Sequence, residues 1–133
     1  GTVLRTLDAA GFDGCILTPG CADPFGPKAL RATMGSVFRV PLCFVQDAAE
    51  TVRALNARGY ATIAAALDGE DFYRRAPLPE RLCVLIGNEG AGLTEQTRLA
   101  CTHRFRLPMR GGAESLNAAV AAAVMMYDLV NRA

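Results

Sequence analysis

The sequence is poor in the residues that most readily identify a binding site. It has one histidine, His103, and its five cysteines include no Cys-x-x-Cys pair, so the ligand spacing of a zinc site is missing and no metal is predicted. Only one of its fourteen basic residues, Lys28, is a lysine, and the formal charge is +1. Composition therefore supplies no overall basic field that would indicate nucleic acid.

Long apolar runs are also missing. The longest uncharged apolar stretch covers residues 118–127, which is too short to span a bilayer, and the first residues do not resemble a signal peptide. Cys15 and Cys83 lie in apolar, strand-like runs, so we expect reduced, buried thiols. Together these features indicate a protein of the reducing cytoplasm.

What the sequence does contain is the pattern of a single α/β domain. The 133 residues are 51% hydrophobic, and no repeat or linker divides them. The pattern alternates helix and strand, which is typical of a mainly parallel sheet flanked by helices. Predicted helices cover residues 2–10, 28–34, 47–58, 94–100 and 114–131, and predicted strands cover residues 14–17, 37–40, 60–67, 82–86 and 103–107. Residues 68–79 are polar and contain prolines, so we predict a surface loop there.

Residues 82–93 are the strongest candidate for a ligand site. An apolar run from Leu82 to Ile86 ends in three glycines around one acid, Glu89, which is the form of a buried strand followed by a loop that can approach a ligand closely. The glycines do not fit the dinucleotide pattern Gly-x-Gly-x-x-Gly, and a P-loop is excluded because no Gly-Lys pair is present.

Two segments in this region resemble signature motifs of a known family. GNEGAGL at residues 87–93, and LPM at 107–109 with SLN at 115–117, are similar to the second and third motifs of the SpoU (TrmH-like) family of RNA ribose 2'-O-methyltransferases, of the SPOUT class. Their order and spacing make the resemblance specific. It covers essentially all of residues 1–133, which we therefore interpret as a SpoU-type catalytic domain.

The first family motif, Asn-x-Gly-x-x-x-Arg, is matched only in its second half, by Gly1 and Arg5. We therefore expect the asparagine, a preceding strand and any N-terminal RNA-binding extension to lie upstream of Gly1. The resemblance also implies a deep trefoil knot in the C-terminal part and a homodimer with active-site groups from both subunits. The apolar residues of the last helix fit such an interface, but burial in the monomer explains them equally well: Val124, Met125, Met126 and Leu129.

The family's functional positions carry over to particular residues of this sequence. The positions that would bind S-adenosylmethionine (AdoMet) are Gly87, Gly92, Leu107, Met109 and Leu116. The catalytic positions are Arg5, Glu89, Ser115 and Asn117. The positions that would contact RNA are Arg5, Lys28 and Arg31, with Thr33 and Ser36 in the same segment.

Each of these roles has a simpler alternative. Arg5 is the family's proposed proton acceptor, but a guanidinium keeps its proton to a pH above about 12, so a role in positioning and charge stabilisation is chemically easier. Glu89 can orient Arg5 or nearby amides, or be an exposed loop acid. Ser115 and Asn117 can hydrogen-bond the ribose or simply cap a helix. The segment around Lys28 and Arg31 can grip phosphates or be an ordinary surface helix.

The predicted function is AdoMet-dependent 2'-O-methylation of a ribose in structured RNA, with ribosomal RNA preferred over transfer RNA. One alternative is a SPOUT-like module that binds cofactor or RNA without methylating, although retention of Arg5, Glu89, Ser115 and Asn117 argues against it. Another is an unrelated α/β nucleotide-binding enzyme, which the missing Gly-Lys pair disfavours.

Overall fold

A computed structural model describes residues 1–19, 24–87 and 92–132. The chain forms two compact units, Gly1–Asp47 with Ala123–Arg132, and Ala48–Ala122. The strand pairs within the described residues are all parallel and are flanked by helices, so the predicted α/β class with parallel strands is confirmed.

The first unit contains a two-stranded parallel sheet. Its elements are helix α1 (Thr2–Ala10), strand β1 (Cys15–Leu17), helix α2 (Pro27–Thr33), a 3₁₀ turn (Ser36–Phe38) and strand β2 (Leu42–Phe44). Helix α1 ends as predicted at Gly11, whose φ of 85° is the left-handed conformation that favours glycine. Its buried apolar residues are Leu4, Leu7, Val40, Met125, Met126 and Leu129.

The second unit contains a three-stranded parallel sheet. Its elements are helix α3 (Ala48–Ala57), strand β3 (Ala61–Asp71), a 3₁₀ turn (Phe72–Arg74), strand β4 (Leu82–Leu85), helix α4 (Glu95–Ala100) and strand β5 (His103–Arg106). The strand order is β4-β3-β5, so β3 is paired on both sides. Its first four residues, 61–64, are buried. The core beside them joins Val52, Ala64 and Cys101, with Leu85, Leu93 and Ala100 packed against it.

The predicted strand over residues 37–40 is wrong. Residues 36–38 form the 3₁₀ turn, and the strand β2 begins only at Leu42. Met34 and Gly35 both have positive φ, 52° and 89°, which turns the chain just before this segment. The amides of Arg39 and Val40 then donate to the carbonyl of Ser36 instead of to a neighbouring strand.

The predicted surface loop over residues 68–79 is wrong in its first part, because strand β3 continues to Asp71. After a register shift, Glu70 and Asp71 pair with Phe105 and Arg106 of β5. The next residue, Phe72, is fully buried, and its ring packs edge to face against Phe105 with the centroids 5.6 Å apart. The free energy gained by burying this aromatic ring keeps the segment on the sheet, although most of its other residues are polar.

Helix α5 spans Ala118–Arg132 and so begins four residues later than predicted. It buries Ala122, Met125, Met126 and Leu129, so the monomer core explains these methionines and Leu129. Three other apolar residues of the helix are exposed, namely Val120, Tyr127 and Val130. No helix within residues 1–19, 24–87 and 92–132 is long and apolar enough to cross a membrane.

The cysteines are less uniformly buried than predicted. Cys101 is buried, Cys15 and Cys83 are half-buried, and Cys43 is exposed. Burial raises the pKa of the Cys101 thiol, which donates to the carbonyl of Thr97. Cys21 lies outside the described residues.

A polar network joins helix α3 and strand β3 to the start of β5. The buried Thr62 hydroxyl donates to Oδ1 of Asn56 over 2.7 Å and accepts from the amide of Thr102 over 2.9 Å. A second hydrogen bond joins the same two residues, because the Thr102 hydroxyl accepts from the amide of Thr62. Nδ2 of Asn56 donates to the carbonyl of Ala100. This network fixes the β3 and β5 pairing at its beginning.

Thr62→Val keeps the shape of the side chain but leaves the Thr102 amide and Asn56 Oδ1 without this partner. We expect it to lower the free energy of unfolding by about 1–3 kcal/mol, measured by urea denaturation. The matched control is Thr6→Val, because the Thr6 hydroxyl donates to the carbonyl of Thr2 within the same helix and at an exposed position. An equal effect of the two substitutions would contradict a special role for the network.

Candidate active site

The candidate cofactor segments leave the sheet at one edge. Strand β4 leads into Gly87, and strand β5 leads into Leu107 and Met109. Both strands run parallel to β3, which lies between them, so their carboxyl ends lie at the same edge of the sheet. The ends of β4 and β5 are therefore two strand spacings apart, or about 10 Å. Open α/β sheets bind ligands outside the carboxyl ends of their strands. This edge is therefore the natural ligand site of the second unit.

The glycine loop closes tightly on itself at that edge. A Cβ atom on Gly87 would lie 2.5 Å from both the carbonyl carbon of Gly92 and the amide nitrogen of Leu93. Only glycine allows this approach, since the opposing atoms belong to the backbone. Gly92 itself has a φ of 68°, again a glycine conformation. Glu89 lies between them, in residues 88–91, outside the described residues.

Both ends of the loop are anchored in one apolar core. Leu85, at the end of β4, and Leu93, just after the loop, pack against the same buried cluster of Val52, Ala64 and Cys101. A hydrophobic contact therefore holds the residues on both sides of the glycine segment in place.

The third-motif residues lie between β5 and helix α5. Leu107 and Met109 are half-buried, whereas Ser115, Leu116 and Asn117 are exposed. Asn117 caps helix α5, because its Oδ1 accepts from the amides of Ala119 over 2.9 Å and Val120 over 3.3 Å. The helix-capping alternative for Asn117 is therefore observed.

The basic candidates belong to the first unit. Arg5 is exposed on helix α1, and Lys28 and Arg31 are exposed on helix α2. Thr33 and Ser36, in the same segment, are buried and hydrogen-bonded within the unit. The Thr33 hydroxyl donates to the carbonyl of Leu30, and that of Ser36 to the carboxylate of Asp8.

A cluster that the sequence motifs did not identify joins α1 to the 3₁₀ turn. Oδ2 of Asp8 accepts from the Ser36 hydroxyl over 2.8 Å and from Nη2 and Nε of Arg39 over 2.7 and 3.1 Å. The hydrogen bond from Ser36, followed by those from Arg39, holds the pKa of the Asp8 carboxyl below its usual value. No motif links these three residues, and 28 positions separate Asp8 from Ser36.

The polar residues beside β5 form a shallow surface hollow of about 190 Å³. It is lined by Asp68, Gly69, Glu70, Thr102, His103, Arg104 and Phe105. His103 stacks on Phe105, and its Nδ1 lies 2.8 Å from the Thr102 hydroxyl. In the part of the chain that the structure describes, no group of three or more His, Cys, Asp or Glu side chains could hold a metal ion.

The second unit places its candidate ligand loop at the carboxyl edge of a parallel sheet. The model of the SpoU rRNA Methylase family matches residues 1–127 of this sequence. The chain belongs to the SpoU rRNA Methylase family, as its motifs predict.

Its relatives include enzymes named for RNA methylation. The 23S rRNA (guanosine(2553)-2'-O)-methyltransferase RlmP of Bacillus subtilis (strain 168) is 41% identical over 97% of this chain and 52% of that protein. The AdoMet-bound rRNA methyltransferase from Sinorhizobium meliloti superimposes with a TM-score of 0.89 and 35% identity, over 98% of this chain and 50% of that one.

A further solved structure concerns transfer RNA. It is described as giving insight into 2-OH methylation of C/U34 on tRNA, and it matches with a TM-score of 0.84 and 32% identity, over 98% of this chain and 85% of that one. The chain spans about half the length of the curated relatives it matches.

Gly87→Ala places a methyl group against backbone atoms that cannot rotate away. We expect it to lower the free energy of unfolding by about 1–3 kcal/mol, measured by urea denaturation. Gly111→Ala is the control, because nothing lies within 4 Å of a Cβ there. A Gly87→Ala variant as stable as the Gly111→Ala variant would show that the loop is not closed as described.

Asp8→Asn removes the ionised acceptor at the centre of the Asp8, Ser36 and Arg39 cluster. Because the folded-state pKa of Asp8 is lowered, its contribution to stability is complete above the unfolded pKa of about 3.9 and is lost as the pH falls through the folded pKa. We therefore expect Asp8→Asn to lower the Tm at pH 7, with the difference from the unmodified chain shrinking below about pH 4. The exposed Asp13→Asn is the control, and a pH-independent Asp8→Asn difference would contradict the assignment.

Proposed function

We propose that residues 1–133 form the catalytic domain of an AdoMet-dependent RNA methyltransferase that modifies the 2'-hydroxyl of a ribose. The observation that carries the proposal is the close approach of Gly87 to Gly92 at the carboxyl edge of the sheet, the edge at which the segment of Leu107 and Met109 also leaves. Family membership supports the reaction, and relatives named for 23S rRNA favour ribosomal RNA as the substrate.

The described residues fit AdoMet chemically. Gly87 and Gly92 offer backbone donors and acceptors and carry no side chain, and Leu107, Met109 and Leu116 supply apolar surface. We assign these five residues to cofactor binding, mostly through the backbone. When bound, the cofactor supplies an electrophilic methyl group, and the protein's task is to orient the acceptor oxygen in line with it.

Arg5 is proposed as the group that positions the acceptor ribose. A guanidinium keeps its proton to a pH above about 12, so Arg5 acts best by holding the adjoining phosphate and stabilising negative charge on the 2'-oxygen. Its exposure on helix α1 supports a contact with RNA. Lys28 and Arg31 are proposed to contact phosphates further along the strand.

The polar motif residues complete the proposed catalytic set. Ser115 and Asn117 are exposed, so both can reach a bound ribose while Asn117 Oδ1 caps helix α5. Glu89 is proposed to orient Arg5 or the loop amides. Its place in the sequence, between Gly87 and Gly92, supports this role.

Assembly and knot are proposed from the family resemblance. A deep trefoil knot in the C-terminal part would hold the cofactor in the knotted loops, and a homodimer would complete each active site. The apolar exposure of Val120, Tyr127 and Val130 on helix α5 supports a protein interface along that helix. We also propose a cytoplasmic location, where the RNA substrate is found.

Transfer RNA is the second candidate substrate. The observation that favours it is the similarity to the structure concerned with C/U34 of tRNA, 85% of which this chain covers. A binding module that does not methylate would bind the cofactor or RNA without transferring a methyl group. An assay of methyl transfer to RNA therefore tests this alternative as well.

The proposal is tested by calorimetric titration with AdoMet and S-adenosylhomocysteine, with ATP as the control, followed by assay of methyl transfer to RNA. We expect selective binding of the two adenosyl cofactors. Arg5→Ala and Asn117→Ala are expected to abolish transfer while changing cofactor Kd only a few fold, because the cofactor is assigned mainly to backbone contacts. Loss of affinity by about tenfold or more (1.4 kcal/mol) in both folded variants would contradict this division of roles.

Asn117→Ser is the control for helix capping. Serine keeps a side-chain oxygen that can cap helix α5, whereas Asn117→Ala loses the cap at a cost of about 0.5–2 kcal/mol. If asparagine also acts on the ribose, Asn117→Ser will be stable but inactive. An active Asn117→Ser variant would reduce the role of Asn117 to the cap.

A further inference from the structure

Residues 34–39, which we call the 34–39 turn, invert the usual distribution of apolar and polar side chains. Phe38 is 76% exposed and Met34 is 67% exposed, while Ser36 between them is 2% exposed. Large apolar side chains normally lie inside and hydroxyls outside. The two largest apolar side chains of the turn are therefore exposed to solvent.

The 34–39 turn is held firmly in this conformation. The Ser36 hydroxyl and the Arg39 guanidinium both donate to Asp8 on helix α1, over 2.8 and 2.7 Å. The amide of Phe38 donates to the carbonyl of Gly35, and that of Arg39 to the carbonyl of Ser36. Phe38 thus sits on a rigid support, so a ligand that covers its ring pays little entropy to order the backbone beneath it.

Cations lie on the helix that adjoins the 34–39 turn. Helix α2 packs against the turn, and Lys28 and Arg31 of that helix are exposed. The amide of Met34 donates to the carbonyl of Arg31, so the helix runs directly into the turn. Aromatic faces combined with cations are how proteins bind unpaired nucleic acid, with bases on the rings and phosphates on the cations.

We propose that the 34–39 turn is a base-stacking platform for an unpaired nucleotide of the RNA substrate. Phe38 stacks on the base, Met34 adds apolar surface within the same turn, and Lys28 and Arg31 contact the adjoining phosphates. Asp8, Ser36 and Arg39 are positioning residues that hold the ring outward. This assignment rests on the proposed function, because it adds a contact to the RNA of that same reaction.

The platform implies a preference for single strands. Bases of a duplex are already stacked on their neighbours, whereas an unpaired base has a free face to offer an aromatic ring. The test therefore uses an oligouridylate of about 12 nucleotides, within the length range of single-strand sites, and an RNA duplex of the same length. Binding is measured by fluorescence anisotropy of the labelled RNA.

Phe38→Ala is expected to weaken binding of the oligouridylate by about 5- to 100-fold, the effect of losing one stacked base. Phe44→Ala is the matched control, because Phe44 is also an exposed phenylalanine of the first unit, 64% exposed, but lies in strand β2 outside the turn. It is expected to leave the Kd nearly unchanged. Both variants keep the buried core and are expected to fold.

Phe38→Trp supplies an independent readout, because the sequence contains no tryptophan. The introduced indole is the only one in the chain, and we expect it to keep or strengthen RNA binding. Its emission is expected to be quenched on addition of oligouridylate and much less by the duplex. This signal reports stacking on the ring itself, which a change in Kd alone does not.

Three results would overturn the platform: no binding of oligouridylate by the unmodified chain, equal binding by Phe38→Ala, or unquenched Phe38→Trp emission at saturating RNA. If Phe38→Ala instead dissociates a dimer in sedimentation, and the Phe38→Trp emission follows protein concentration, the turn is an interface between copies. AdoMet titration of the same preparations separates the two proposals. Selective cofactor binding with a failed Phe38 test removes only the platform, whereas loss of that selectivity removes the proposed function.

Discussion

Strand β3 is the element on which the candidate site depends. Its first residues are buried and hydrogen-bonded on both sides, with Ala61 beside Leu82 of β4 and Ile63 beside His103 of β5. Because both neighbours run parallel to β3, the segments that follow them must leave at one edge. Two motifs that are about twenty residues apart in sequence are brought to that edge by backbone pairing alone.

Close approach of backbone to backbone is the second constraint of this unit. A Cβ on Gly69 would lie 2.6 Å from the carbonyl oxygen of Arg104, and one on Gly87 would lie 2.5 Å from atoms of Gly92 and Leu93. The first contact lets β3 approach β5 closely where their register shifts, and the second brings together the two described ends of the candidate cofactor loop. Glycine is required in both places for steric reasons, although only Gly87 belongs to a motif.

The first unit separates the residues that support a surface from those that form it. Asp8 and Ser36 are used internally, in hydrogen bonds to each other and to Arg39, while Lys28, Arg31 and Phe38 face outward. In the sequence, Ser36 lies in the same segment as the candidate RNA-binding residues Lys28 and Arg31. Its burial and its hydrogen bond to Asp8 show that its side chain supports this surface from within.

The sequence by itself determined the family, the α/β class and most element boundaries, because the signals are local: Gly11 ends α1, Pro27 begins α2 and Thr94 caps α4. Tertiary structure decided the rest. The 3₁₀ turn at Ser36 depends on Asp8, the extension of β3 depends on the ring of Phe105 against Phe72, and the burial of Met125, Met126 and Leu129 on α5 depends on the core of the monomer. Each of these depends on a partner distant in sequence, and the free energy of such contacts overrides local propensity.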